Sequence, residues 1–296
     1  MDEALEHRVR RLQFTCRKPV NELLAGEYLS VFKEKGIEFD EVRAYQPGDD
    51  VRSIDWNVTA RTGFPHVKNF IEERELTLYL LFDSSASFSE GAIGQSKRRA
   101  AVELAALLAY SANRNNDRVG SIQFTSHVEQ YIPPAKGEAH IRYLLEELLR
   151  FKPQRVETDV SEALTFLENI TRKRCIVFLF SDFQSPDYRE AVQVIARHHD
   201  LVTVSVYDEY ESKLPDVGLL TLRDNESGAI QTVDTRVPGI RKSLAKRALE
   251  RQQRLVKDFE EMNVDHLEVH TQSDYVQELV VFFETRKQRG GHVATG

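Results

Sequence analysis

Asp83, Ser85 and Ser87 stand two residues apart, directly behind the apolar run Leu76-Thr77-Leu78-Tyr79-Leu80-Leu81-Phe82. One carboxylate and two hydroxyls at that spacing, on a tight loop, turn hard oxygen atoms toward a common point, a donor set that suits Mg²⁺. A second apolar run, Cys175-Ile176-Val177-Phe178-Leu179-Phe180, ends the same way, in Ser181-Asp182. Thr158 offers a further hydroxyl from a third stretch. The set Asp83, Ser85, Ser87, Thr158 and Asp182 carries few charges for an all-protein cage. Mg²⁺ (or Mn²⁺) keeps waters and asks for near-octahedral oxygen ligation, so such a site leaves a position for an incoming carboxylate. The same residues also fit a buried strand and a Ser-rich turn, with Asp83 capping a helix and Thr158 serving as another N-cap.

Two apolar runs of this kind suit strands buried on both faces, as in the centre of a parallel sheet. Chains leaving such strands enter the crevice at the sheet's carboxyl edge, where nonadjacent loops meet. From Leu76 onward strands and helices alternate: helix 96–114, strand 118–124, strand 127–132 ended by Pro133-Pro134, helix 140–151, a helix after Thr158, strand 175–180, helix 187–198 and strand 201–206. Segments 217–222 and 229–233 read as a hairpin, followed by a charged helix 241–262, strand 266–269 and helix 276–285. The pattern predicts a doubly wound, mostly parallel α/β sheet flanked by helices.

Ahead of it, 3–35 is helix-compatible and carries the basic cluster Arg8, Arg10, Arg11, Arg17 and Lys18, a solvated face or a contact with anionic lipid or an acidic partner. Segment 36–74 reads as a small β-rich module: an alternating strand 36–45, a turn at Pro47-Gly48-Asp49-Asp50, a turn at 59–63 and a strand 66–70, with Trp56 as packing anchor. Asp49, Asp50 and Asp55 read as caps and turn residues. The expected domains are 1–75, an N-terminal helix plus the module; 76–287, the α/β domain; and 288–296, a mobile tail.

The net charge of −7 and pI near 5.8 argue against a nucleic-acid partner, because affinity there comes largely from neutralising phosphates. Cys16 and Cys175 lie far apart and read as reduced, structural thiols. The first residues lack an apolar signal core, and no apolar run approaches the ~20 residues of a membrane helix. The expected location is cytoplasmic, any membrane contact being peripheral.

Asp83-Ser84-Ser85-Ala86-Ser87, Thr158 and Asp182 together resemble the metal-ion-dependent adhesion site of von Willebrand factor A domains. Glu38 to Arg61, with Arg43-Ala44-Tyr45-Gln46-Pro47-Gly48-Asp49-Asp50 and Ile54-Asp55-Trp56-Asn57 inside it, then Val67-Lys68 and Glu72-Glu73-Arg74-Glu75-Leu76-Thr77, resembles domain-of-unknown-function family 58. That resemblance covers roughly 22–206. It implies an A-domain-like fold, a divalent ion on Asp83, Ser85, Ser87 and Thr158 with Asp182 acting directly or through water, and an adaptor or co-chaperone role beside a MoxR-type AAA+ ATPase. Assembly, metal insertion or stress tolerance of client complexes would be its setting. Ala86 and Val156-Glu157 stand where such loops often carry glycine, so Glu157 is a candidate extra carboxylate.

The first functional reading is therefore a non-enzymatic, metal-dependent interaction module that recruits an acidic group of a client. A metal-independent scaffold is the second. The third, a Mg²⁺-dependent phosphohydrolase, lacks the second Asp two residues after the nucleophile, where Ser85 stands. His198-His199, at a helix end, reads as serving the helix dipole rather than a metal.

Overall fold

The computed structural model describes residues 3–32, 42–46, 54, 56–68, 75–85, 88, 97–155, 157–185, 187–208, 216–223 and 230–291. The chain divides into two compact units, one of Met1–Val31 with Leu76–Gly296 and one of Phe32–Glu75.

The larger unit is built on a six-stranded sheet of β3 (Thr77–Asp83), β4 (Arg118–Phe124), β5 (Val128–Ala135), β6 (Ile176–Phe180), β7 (Asp200–Tyr207) and β10 (Asp265–His270). Their spatial order is β10-β7-β6-β3-β4-β5, with every neighbouring pair parallel except β4 and β5. From β3 the chain winds outward through β4 to β5, then returns to the other side of β3 to lay down β6, β7 and β10. The reversal opens the crevice between β3 and β6, the place where open α/β sheets bind ligands. Both strands are buried along their length, which is why they read as continuous apolar runs rather than alternating ones.

Helices cover both faces. One core joins Tyr79, Leu81, Ile122, Phe124, Val177 and Leu179 of the sheet to Val160, Leu164 and Leu167 of α6 (Val160–Ile170), Val192 and Ile195 of α7 (Tyr188–His198), and Leu255 and Phe259 of α8 (Pro238–Glu261). The opposite face is covered by α4 (Lys97–Arg114), whose buried side includes Ala101, Leu104 and Leu108, and by α5 (Glu138–Arg150). A further layer, α1 (Glu3–Pro19), packs on α4 and α5 through its Val9 and Cys16 side. Tyr28 of α2 (Ala25–Phe32) meets Phe283 of α9 (Tyr275–Gly291) edge-on at 6.5 Å. Between α1 and α2 the helix widens to a π-turn over Val20–Leu24, the Ala25 N–H donating to the Val20 carbonyl. Pro19 lacks an N–H and crowds the preceding turn, which explains the widening at that point.

The predicted α/β architecture is what the chain builds, and three local expectations are corrected. β5 does not stop at Pro133-Pro134 but runs to Ala135. It is an edge strand, and the register shift between Val119 and Ser121 sets both prolines opposite Gly120, where the regular ladder is interrupted and a proline can stand without an N–H. Gly120 must be small there: a Cβ would lie 3.0 Å from the Ile132 carbonyl oxygen and 3.1 Å from the Pro134 nitrogen. The closing helix α9 continues past residue 285 to Gly291. β8 (Leu219–Arg223) and β9 (Ile230–Asp234) form the expected hairpin.

In the smaller unit, β1 (Val42–Ala44) pairs antiparallel with β2 (His66–Lys68). The third correction falls here, since Trp56–Thr62 is a helix, α3, where a turn was expected from residue 59. Gly63, at φ +79, ends it by donating its N–H to the Thr59 carbonyl. Trp56 is 68% exposed and is no buried anchor. Asp49, Asp50 and Asp55 lie outside the described residues.

Candidate metal centre

Register brings the two carboxylate-bearing strands together. Phe82 of β3 is opposite Phe180 of β6, their rings stacked 4.6 Å apart and 6° from parallel. The next residues, Asp83 and Ser181, therefore leave adjacent strands side by side. Ser181 Oγ donates to Asp83 Oδ2 at 2.7 Å. Asp83 Oδ1 accepts the Ser85 N–H at 2.9 Å, closing a tight turn.

Thr158 arrives from a third loop through backbone pins at the end of β4. The Asp159 N–H donates to the Thr125 carbonyl at 2.9 Å, and the Ser84 N–H to the Phe124 carbonyl at 2.7 Å. Thr158 Oγ1 then donates to Asp83 Oδ1 at 2.9 Å. Thr158 is not the N-cap: Asp159 caps α6 by accepting the N–H groups of Ser161 and Glu162. Relieved of capping, Thr158 turns its hydroxyl to the carboxylate.

Asp83, Ser84, Ser85 and Ser181 are all fully buried, and Asp182 is half-buried beside them. Burial first, then the like charge of Asp182, push the Asp83 carboxyl up to about 6, against the downward pull of hydrogen bonds from Ser181 and Ser85. Asp182 is held by the Gln184 backbone N–H at 3.3 Å and the Gln184 side-chain amide at 2.9 Å. Phe183, just after it, sits at φ +54, a conformation that costs a bulky residue about 1–2 kcal/mol. Its N–H donates to Ser181 Oγ at 3.0 Å, and its ring is clamped edge-on against Phe259 at 4.8 Å.

Behind the loop lies Arg98, absent from the expected site. Its guanidinium donates to Ser84 Oγ at 3.2 Å, to Gln123 Oε1 at 2.9 Å and to the Leu148 carbonyl at 2.8 Å, over the Phe151 ring. Burial lowers its pKa to about 10, with the Asp83 charge opposing.

Of the five expected ligands the structure thus gathers Asp83, Ser85, Thr158 and Asp182, while Ser87 lies outside the described residues. Glu157 is exposed. The donor chemistry fits a hard divalent ion: oxygens only, and two mutually repelling carboxylates, one of them deeply buried. Among the described residues no group of three or more His, Cys, Asp or Glu gathers in a metal-binding arrangement.

A second cluster has the connectivity of a nucleophilic triad. Cys175 Sγ lies 3.2 Å from His199 Nδ1, and His199 Nε2 lies 3.3 Å from Glu168 Oε2. Yet Cys175 is buried, and burial with nearby carboxylates pushes its thiol up to about 12. A neutral, enclosed thiol is a packing group rather than a nucleophile. His198 also pairs with Glu168, at 2.7 Å, so the two histidines tie α7 to α6 in addition to ending a helix.

The chain matches the model of a family described as "Protein of unknown function DUF58" over residues 41–254. It is 30% identical over 292 residues to "Uncharacterized protein Rv1480" of Mycobacterium tuberculosis, covering 97% of this chain and 91% of that protein. It is 25% identical over 161 residues to "Uncharacterized protein MAV169" of Mycobacterium avium, covering 52% of this chain and 94% of that one. Among solved structures it is similar to the conserved hypothetical protein BatB of Bacteroides thetaiotaomicron, at a TM-score of 0.47 and 15% identity over 72% of this chain and 99% of that one. No helix among the described residues is long and apolar enough to cross a membrane. With the family model spanning more than half of its length, the chain belongs to the DUF58 family.

Proposed function

We propose that this protein is a non-enzymatic interaction module whose partner contact depends on a divalent ion, Mg²⁺ or Mn²⁺, held by Asp83, Ser85, Ser87, Thr158 and Asp182. The observation that carries the reading is the convergence on Asp83 of hydroxyls from two other loops, Thr158 Oγ1 at 2.9 Å and Ser181 Oγ at 2.7 Å. A bound ion would supply positive charge for a partner's carboxylate. The protein's own part is to fix the oxygens, keep Asp83 dry and hold the loops in register, those of Ser84 and Asp159 by the Phe124 and Thr125 carbonyls and that of Ser181 by the Val204 carbonyl. The family membership supports an adaptor role, and we propose a MoxR-type AAA+ ATPase, or a client carrying an acidic side chain, as the partner.

Thermal unfolding with and without added ion tests this. An ion bound only by the folded state, at ~100 times its dissociation constant, stabilises by ~2.7 kcal/mol. Mg²⁺ or Mn²⁺ is expected to raise Tm, and Asp83→Ala to remove that response. An ion-independent Tm in the wild-type protein supports the metal-independent scaffold instead.

A further inference from the structure

The molecule presents two complementary surfaces on opposite faces of its sheet. On one side, the solvent face of α1 exposes Arg10, Arg11, Phe14, Arg17 and Lys18, with Phe14 82% exposed. Spacings of three and four residues set these side chains in one stripe, Phe14 at its centre and two cations a turn away in either direction. The stripe from residue 10 to 18 is about 12 Å long. None of the four basic side chains makes an ion pair among the described residues, in a chain whose net charge is −7.

On the other side, α6 and α7 leave a groove of about 610 Å³. Asp159, Glu168, Asp187 and Glu190 line it, and no Lys or Arg does; Asp159 also caps α6 and Glu168 also pairs with His198 and His199, which leaves Asp187 and Glu190 facing the groove. Leu164 and Ile195 form its apolar floor, and Val194, 38% exposed, its rim. Each helix has eleven residues, about 16 Å of length, enough to span the α1 stripe. The nearby Arg189 is already committed to Asp258 and Glu261 of α8.

We infer that the α6–α7 groove receives the α1 face of a second copy of this chain, Phe14 entering between the helices and the α1 cations meeting the acidic lining, Asp187 and Glu190 foremost. Charge complementarity selects this occupant, and the stripe is short enough to lie within the groove. Because α1 and the groove lie on opposite layers of one unit, a chain cannot satisfy itself. The contact is heterologous, so copies add head to tail rather than closing as a two-fold dimer. None of the proposed metal ligands takes part, so the association does not rest on the metal reading.

Sedimentation velocity on the full chain tests it, with thermal unfolding as the check on folding. The wild-type protein is expected to grow past a dimer with concentration, and association to weaken about tenfold as ionic strength rises from ~0.05 to ~0.5 M. An α1 variant, Arg10→Glu with Arg11→Glu and Phe14→Ser, and a groove variant, Glu190→Lys with Val194→Lys, each change exposed positions and are expected to be folded monomers. Mixed in equal amounts they retain one intact face each and are expected to form a complex that stops at two copies. A wild-type monomer at all concentrations, a mixture that stays monomeric, or association lost on adding chelator overturns the inference. So does a monomer that binds phosphatidylserine vesicles through Phe14, which would assign the α1 face to a lipid surface.

Discussion

Ser181 Oγ bridges two parts of the site, donating to Asp83 Oδ2 at 2.7 Å while accepting the Phe183 N–H at 3.0 Å. The hydroxyl belongs to the β6 terminus, and its two bonds tie that terminus to β3 and to the left-handed residue that follows Asp182. Ser181→Ala leaves a buried acceptor and a buried N–H without this partner. Each such loss costs about 1–3 kcal/mol, so a fall of that order in urea-unfolding free energy is expected. A loss below about 0.5 kcal/mol would show that the bridge contributes little.

Asp83 gives the ion-free protein a distinctive pH dependence. Its folded pKa, about 6, lies above the ordinary 3.8, so between these values the folded state holds a proton that the unfolded state has released. Stability from this group is therefore highest below pH ~4, falls as pH rises through ~6, and stays low above it. The raised pKa corresponds to about 3 kcal/mol. His266, pushed down to about 4 by burial, acts in the opposite sense, losing stability as pH falls below its unfolded value near 6.5. Comparing wild type with Asp83→Asn cancels the His266 effect. Their difference in unfolding free energy is expected to change between pH 4 and 7 in chelator and to flatten when Mg²⁺ is added. A pH-independent difference in chelator would contradict the buried, repelled carboxylate.

Much of this was legible in the residues because buried parallel strands announce themselves. The runs ending at Phe82 and Phe180 could hardly be anything but central strands, and their termini located Asp83 and Asp182 without knowledge of the register. Ser181 and Arg98 were not legible as site residues. Ser181 gains its role from the pairing of Phe82 with Phe180, and Arg98 from the packing of α4 against α5, neither of which has a local signature. Thr158 was assigned two alternative roles, and the capping of α6 by its neighbour Asp159 removes the capping one. At α3 the polar run through Thr59 read as a turn because it lacks an apolar stripe, while Gly63 ended a helix that the sequence had not announced.

Arg98 holds three elements at once, bonding Ser84 on the loop, Gln123 on β4 and the α5 carbonyl of Leu148. Arg98→Met keeps the apolar stem but removes all three donors. A loss of about 3–5 kcal/mol is expected in chemical denaturation, the range for breaking a buried charged network. Arg98→Lys supplies one point charge in place of a planar fork and is expected to recover only part of it. Full recovery by lysine would mean that charge, not the fork geometry, supports the loop.

Trp56 and Gly120 make a matched pair of tests of exposure against enclosure. Trp56 projects into solvent at 68% exposure, so Trp56→Ser is expected to change unfolding free energy by no more than ~0.5 kcal/mol. Gly120 is the reverse case, since an added methyl meets backbone atoms of Ile132 and Pro134 at 3.0 and 3.1 Å. Backbone cannot swing aside as a flexible side chain does, so Gly120→Ala must displace β5 from β4, at a cost of about 1–3 kcal/mol. Hydrogen exchange locates the effect: faster exchange is expected in β5 (Val128–Ala135) of the Gly120 variant, with β6 (Ile176–Phe180) unchanged. Undiminished protection in β5 would show that the bulge at the two prolines absorbs the methyl, and that the close approach at Gly120 is not what sets the register of this edge.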